Sequence, residues 1–319
     1  MAEPKIDAFF AFRKREQKLV LTRATIAYFI IYLAISAIYL ALTWSYWGAL
    51  VAWYLETIGT VTSGGEPSAP PREVLALAPY GLVVGVLSLI VLAAYEAACL
   101  RWLIRGEAGG GLMGLRCGAD TWRVFCVYLL WIVFGIVFVV ALVLFYVALN
   151  MLGGPGGAMR MVAILIGALA PLGLIALLIW LSTRLAPAAA TSVARGKIAF
   201  FGAWGVTHGR FWPLLGAFVI VCVGYVVNAA LVSNIVQIPM IQVTAPFMRD
   251  VMSGADGAPL ASRIQALISA PTSIAYVAAY LAISAIMSML FYIALFGVNA
   301  SAVRAAQADE ATAAGSAPA

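Results

Sequence analysis

Six apolar stretches, near residues 24–44, 78–103, 124–149, 161–183, 211–236 and 272–300, alternate with polar connectors along the chain. Each meets the requirement of about 20 residues for a helix crossing roughly 30 Å of hydrocarbon. Lipid offers no partner to a bare peptide group, so such stretches are predicted to be helices. The pattern predicts an all-α polytopic membrane protein with six transmembrane helices. Three parts follow: a basic, aromatic arm over 1–23, a six-span membrane domain over 24–301, and a flexible, Ala-rich tail over 302–319.

An even number of spans places both termini on one side. Fifteen of the 19 Lys and Arg fall in the arm, the second and fourth loops and the tail, and four in the other loops. The positive-inside bias then makes the termini cytoplasmic. A formal charge of +6 points to nucleic acid in a soluble domain, but here the cations occupy alternate loops between spans, which is topology and excludes nucleic acid as a partner. Composition agrees: 64% apolar and 10% charged residues lie far from the soluble average. Cys99, Cys117, Cys126 and Cys222 show no CxxC spacing, so neither a disulfide nor a metal site is expected. No cofactor is implied.

In the arm, Ile6, Phe9, Phe10 and Phe12 interleave with Lys5, Arg13, Lys14, Arg15 and Lys18. This reads either as a segment lying at the headgroup boundary or as a solvated basic arm that fixes orientation. Outside, the first loop is expected to hold an interfacial helix and carries Trp44, Trp47, Trp53 and Tyr54 before a Gly- and Pro-rich turn, an aromatic belt more readily than a ligand platform. The fifth loop, 237–271, is expected to hold a short interfacial helix around 245–252. LGGPGGA joins the third and fourth spans as a tight hairpin.

Glu96 is the one acid well inside a span, where a charge is costly unless paired or hydrated. Arg101, five residues on, points away on a helix, so Arg184 at the end of the fourth span is the expected ion-pair partner. The pair reads as structural, with a proton- or substrate-coupling carboxylate as the functional alternative. A literal GxGxxG spans 109–114 but follows a membrane helix, not a strand, so it is no nucleotide fingerprint. It reads instead as a tight loop bringing Arg101, Arg105, Arg116 and Arg123 near lipid phosphates, with Arg210 a fifth such contact and Asp120 or Thr121 capping the third span.

The fourth loop forms an elbow. Pro187 ends the fourth span, 199–206 with Phe200, Phe201 and Trp204 suits a short helix lying in the interface, and Pro213 opens the fifth span. His208, the one histidine, lacks a second ligand or carboxylate in its segment and reads as an interfacial polar residue. In order, Arg184, Pro187, Trp204, Gly209, Phe211 and Trp212 resemble the mark of the membrane domain found in glycerophosphodiester phosphodiesterases and in related stand-alone six-helix bacterial membrane proteins. The acid often expected after the Pro is absent from PAAATSVARG. The resemblance implies a six-span fold in a bacterial inner membrane and an accessory role, without the hydrolase activity.

No acid pair, HExxH or Ser–His arrangement supplies catalytic residues. Two function classes follow. One is a non-enzymatic scaffold organising anionic lipid at the cytoplasmic face, another membrane protein, or a second copy of itself. The other is a transporter or lipid carrier with a pathway between spans two, four and five, using Glu96, Arg184, Asn228 and Asn234.

Overall fold

A computed structural model describes residues 6–13, 18–62, 64–66, 69–107, 110–152, 158–253, 262, 265–266 and 269–315. Eleven helices are named within it. They are α1 (Phe10–Arg13), α2 (Lys18–Thr43), α3 (Trp47–Thr62), α4 (Arg72–Leu75), α5 (Leu77–Leu100) and α6 (Ala119–Leu152). They continue as α7 (Ala158–Leu185), α8 (Ala188–Arg195), α9 (Gly202–Val206), α10 (Phe211–Ser253) and α11 (Pro271–Gly315). Among the described residues the fold is all-helical, with no strand and one isolated bridge, Leu112 to Leu115. Six helical stretches are long and apolar enough to cross a membrane: Leu21–Val61, Arg72–Arg105, Ala119–Met151, Ile164–Arg195, Phe211–Asn234 and Pro271–Ala313. On α6, Ile136, Val137, Val140 and Leu144 are each more than half exposed, an apolar surface that suits hydrocarbon as solvent.

The chain forms two compact units. The first comprises Met1–Ala24, Leu92–Val221 and Ile293–Ala319; the second comprises Thr25–Val91 and Cys222–Tyr292. All but three of the 19 Lys and Arg belong to the first unit, the exceptions being Arg72, Arg249 and Arg263.

In the first unit, α6 and α7 pack as the expected hairpin, and the Tyr146 hydroxyl donates to the Gly167 carbonyl at 3.3 Å. Most of the connecting LGGPGGA turn lies outside the described residues. The arm does more than lie on a surface. Ala8 and Ala11 are buried, the Asp7 amide donates to the Ser301 hydroxyl at 3.4 Å, and the Arg304 guanidinium stands 5.7 Å from the Phe10 ring centre. Gly297 makes this seat possible, since a Cβ there would lie 2.9 Å from both the nitrogen and the Cβ of Ala11. The residues read as a flexible tail are also drawn in. Helix α11 runs on to Gly315, and Ala302, Val303, Ala305 and Ala306 are buried, because alanine favours helix and lets neighbours approach closely.

The second unit carries helix into the first and fifth loops. Residues 47–62 continue as α3, and α10 runs without interruption to Ser253 in place of a loop with a separate helix over 245–252. A turn of 3-10 helix at Trp44–Tyr46 separates α2 from α3 and opens the backbone ladder. Gln265 fills the gap: its Oε1 accepts from the Gly48 amide at 3.0 Å and its Nε2 donates to the Trp44 carbonyl at 3.3 Å. A carboxamide carries one acceptor and two donors on a single plane, so it can insert between two peptide groups that a regular helix would join directly.

Candidate functional site

The densest polar cluster lies in the first unit, where α5 ends, the Gly-rich loop turns and α8 packs. After Leu100 the helix widens into a π turn, Arg101–Arg105, closed by Gly106 in the left-handed region at φ 70°. Arg101 is 2% exposed, and its Nη2 donates to the Gly114 carbonyl at 3.3 Å. Its Nη1 is buried and without a partner. The loop that covers it requires glycine: at Gly111, with φ 72°, a Cβ would lie 2.1 Å from the Leu115 carbonyl oxygen. The GxGxxG spacing therefore serves loop closure over an arginine, and Gly109 itself is outside the described residues.

Asp120 is the hub of the remaining charges. One carboxylate oxygen lies 2.6 Å from Arg123 Nη1 and the other 3.2 Å from Arg105 Nη1. Arg105 also donates through Nη2 to the Val193 carbonyl of α8. Glu107 lies 3.7 Å from both Arg105 and Arg116. Neither expected cap of the third span is formed by a side chain on the helix amides, because Asp120 is taken up by arginines and the Thr121 hydroxyl donates to the Arg116 carbonyl at 2.7 Å. Arg210 pairs with Asp309 and donates to the Ala305 carbonyl, and Arg195 stands 3.8 Å from Glu310, so the last helix is tied to the elbow.

The five arginines assigned to lipid phosphate thus all engage protein partners, some of them at the surface. Arg101 is too buried to meet a headgroup, a correction whose cause is the loop folded over it. Arg116 keeps the most exposed side chain of the five, 46%.

The expected Glu96–Arg184 ion pair is not formed. Glu96 is 4% exposed and accepts a hydrogen bond from the Tyr128 hydroxyl of α6. Arg184 turns the other way: its Nη1 donates to the Thr207 carbonyl at 2.8 Å, and the Thr207 hydroxyl donates back to the Arg184 carbonyl at 3.3 Å. Its guanidinium carbon stands 5.7 Å from the Trp204 ring centre and 5.5 Å from that of Phe211. Cation–π contact and a carbonyl replace the carboxylate as partners.

Three of the elbow's motif residues, Arg184, Trp204 and Phe211, therefore meet in space, joined by Trp180, whose ring packs edge-on to Trp204 at 5.1 Å. Pro187 sits at the start of α8, and Gly209 adopts a left-handed φ of 74° that frees the chain to turn into α10. Trp212 is 76% exposed and takes no part in the clamp.

Sequence patterning missed α8. Ala188 to Val193 are all buried, since their small side chains let this helix pack tightly against α6 and the π turn. The hydroxyls of Thr191 and Ser192 fold back on the carbonyls of Pro187 and Ala188, each at 2.8 Å, which makes them fit for burial. The interfacial helix expected over 199–206 shrinks to Gly202–Val206. Phe200 and Phe201 do not share a face. Phe200 is buried edge-on to Trp131 at 5.6 Å, whereas Phe201 is 74% exposed.

For the carrier reading, Asn228 and Asn234 spend their amide donors on their own helix, on the Gly224 and Ala230 carbonyls at 2.7 and 2.8 Å. His208 is exposed beside Gly209. Among the described residues no three His, Cys, Asp or Glu side chains come together in a metal-binding group. No family model matches the chain, and no curated protein or solved structure matches it either.

Proposed function

We propose that the chain is a non-enzymatic, multi-pass protein of a bacterial inner membrane with both termini in the cytoplasm. Its basic unit holds anionic lipid headgroups and thereby positions lipid or a partner membrane protein. The observation that carries this reading is the outer surface of the elbow. Arg195 and Lys197 are exposed there, as are Ile198 and Phe201 that follow them and Trp212 at the start of α10. Cations beside aromatic and aliphatic side chains are the composition of a surface resting at an anionic membrane interface. The resemblance of Arg184, Pro187, Trp204, Gly209, Phe211 and Trp212 to the six-span family supports the same accessory role.

Two measurements test it. In a background without the native cysteines, Lys197→Cys is expected to label from the cytoplasmic side and Glu66→Cys from the opposite side; the reverse result removes the orientation. Native mass spectrometry is expected to retain phosphatidylglycerol over phosphatidylcholine, with retention falling in Arg195→Gln/Lys197→Gln and with rising salt. Equal retention of both lipids overturns the lipid role.

The carrier reading is supported by one observation. Glu96 is buried within a span against a neutral phenol, with no ion pair among the described residues, and an intramembrane acid of this kind is a functional candidate by default. Loss of a measured flux in Glu96→Gln with unchanged thermal stability favours it over the scaffold.

A further inference from the structure

A cavity of about 130 Å3 lies within the second unit, between α2 and α11. Tyr28 and Tyr32 line it from α2, and Ser284, Ser288 and Tyr292 from α11. Each set repeats every four residues and so forms a stripe along one helix face. These five hydroxyl-bearing residues share the lining with Leu281, Ala285 and Met289, and among the described residues no charged side chain lines it. Within the described residues no hydrogen bond takes up the hydroxyls of Ser284 and Ser288.

The location makes the two serine hydroxyls costly to leave without a guest. Tyr28 and Tyr32 lie seven and eleven residues past Leu21, the start of the first apolar span. At about 1.5 Å per residue this is roughly 10–17 Å along the helix, well inside the hydrocarbon. Lipid tails cannot satisfy a hydroxyl there. A cavity of mixed lining with free hydroxyls takes up a guest that can hydrogen-bond on one side, and at about 30 Å3 per water this one holds roughly four waters or a single glycerol-sized group.

Charge and access narrow the guest further. Hydroxyls both donate and accept, so they match a hydroxylated group, whereas an ion would leave water without a countercharge. The outer faces of the same two helices carry exposed Leu33, Ile283, Ile286 and Leu290. An acyl chain can lie along these while its head enters from the bilayer, a path closed to a free polyol that must first leave water. We propose that the cavity binds an uncharged, hydroxyl-bearing lipid of the acylglycerol class. This site is independent of the anionic-lipid surface proposed above.

The test uses the purified full chain in detergent with 1,2-dioctanoylglycerol, read by native mass spectrometry and by thermal unfolding. Wild type is expected to retain one dioctanoylglycerol and to melt several degrees higher. Ser288→Leu, which fills the cavity, is expected to lose both responses. Glycerol and dioctanoylphosphatidate at the same concentration are expected to give neither. Should Ser288→Leu fold poorly, Ser284→Ala/Ser288→Ala keeps the packing and is expected to bind about tenfold more weakly, for two lost hydrogen bonds. The proposal is overturned by absence of binding to wild type, which leaves a water-filled cavity, or by equal protection from glycerol or dioctanoylphosphatidate. Affinity within twofold of wild type in the double variant overturns it as well.

Discussion

The two units place polar groups among apolar helices by opposite chemistry. In the first, charged side chains carry the polar contacts: Asp120 is shared between Arg105 and Arg123, Arg210 reaches Asp309, and Arg184 is held by a carbonyl and two aromatic rings. In the second, the corresponding work falls to neutral groups, the Gln265 carboxamide in the helix break and the hydroxyls around the cavity between α2 and α11. Among apolar helices a charge is tolerated when it is paired or partly hydrated, whereas a neutral donor or acceptor costs far less to bury.

Removing Asp120 gives the largest expected effect. Asp120→Asn leaves Arg105 and Arg123 without their shared carboxylate, a loss of about 3–5 kcal/mol for fully buried pairs. Both arginines are about a quarter exposed, so the lower end, about 3 kcal/mol, is expected in thermal unfolding in detergent. A loss under about 1 kcal/mol would show that pairing is not what holds the first unit together.

Next is Gln265→Leu, which strips the Gly48 amide of its partner and leaves the Trp44 carbonyl with the Trp47 amide alone. A destabilisation of about 1–3 kcal/mol is expected, with faster hydrogen exchange at the Gly48 amide. Unchanged exchange there means that the helix break satisfies itself.

Glu96 separates the two chemistries within one residue. Tyr128→Phe removes its partner and is expected to cost about 1 kcal/mol, while Glu96→Gln keeps an acceptor for the phenol and is expected to cost less. A larger loss for Glu96→Gln than for Tyr128→Phe would show that the carboxyl group itself is required.

The smallest global effect belongs to Gly297→Ala. Alanine favours the helix by about 0.5–1 kcal/mol, but its Cβ collides with Ala11. Overall stability is expected to hold while the arm is released, seen as faster tryptic cleavage after Arg13. An unchanged cleavage rate would show that the arm shifts without undocking.

The number and approximate placement of the spans were legible in the sequence, because lipid selects for length and apolarity alone, properties that need no partner to be read. The Arg184, Trp204 and Phe211 constellation was legible as a motif. Its geometry was not, since pattern spacing says nothing of which ring faces the guanidinium. Other features depended on residues far apart in the chain. Glu96 finds Tyr128, 32 positions away, Gln265 enters a break 217 positions from it, and α8 is a buried helix because of what packs on it. In the same way Arg105 and Arg210, whose side of the membrane a sequence pattern predicts, meet Asp120 and Asp309 only after the helices have packed, whereas the Arg123–Asp120 pair is local to one helix. Hydropathy is a property of each residue with its solvent and is fixed before folding, whereas the partner of a buried polar group is fixed by the meeting of helices, which tertiary structure alone decides.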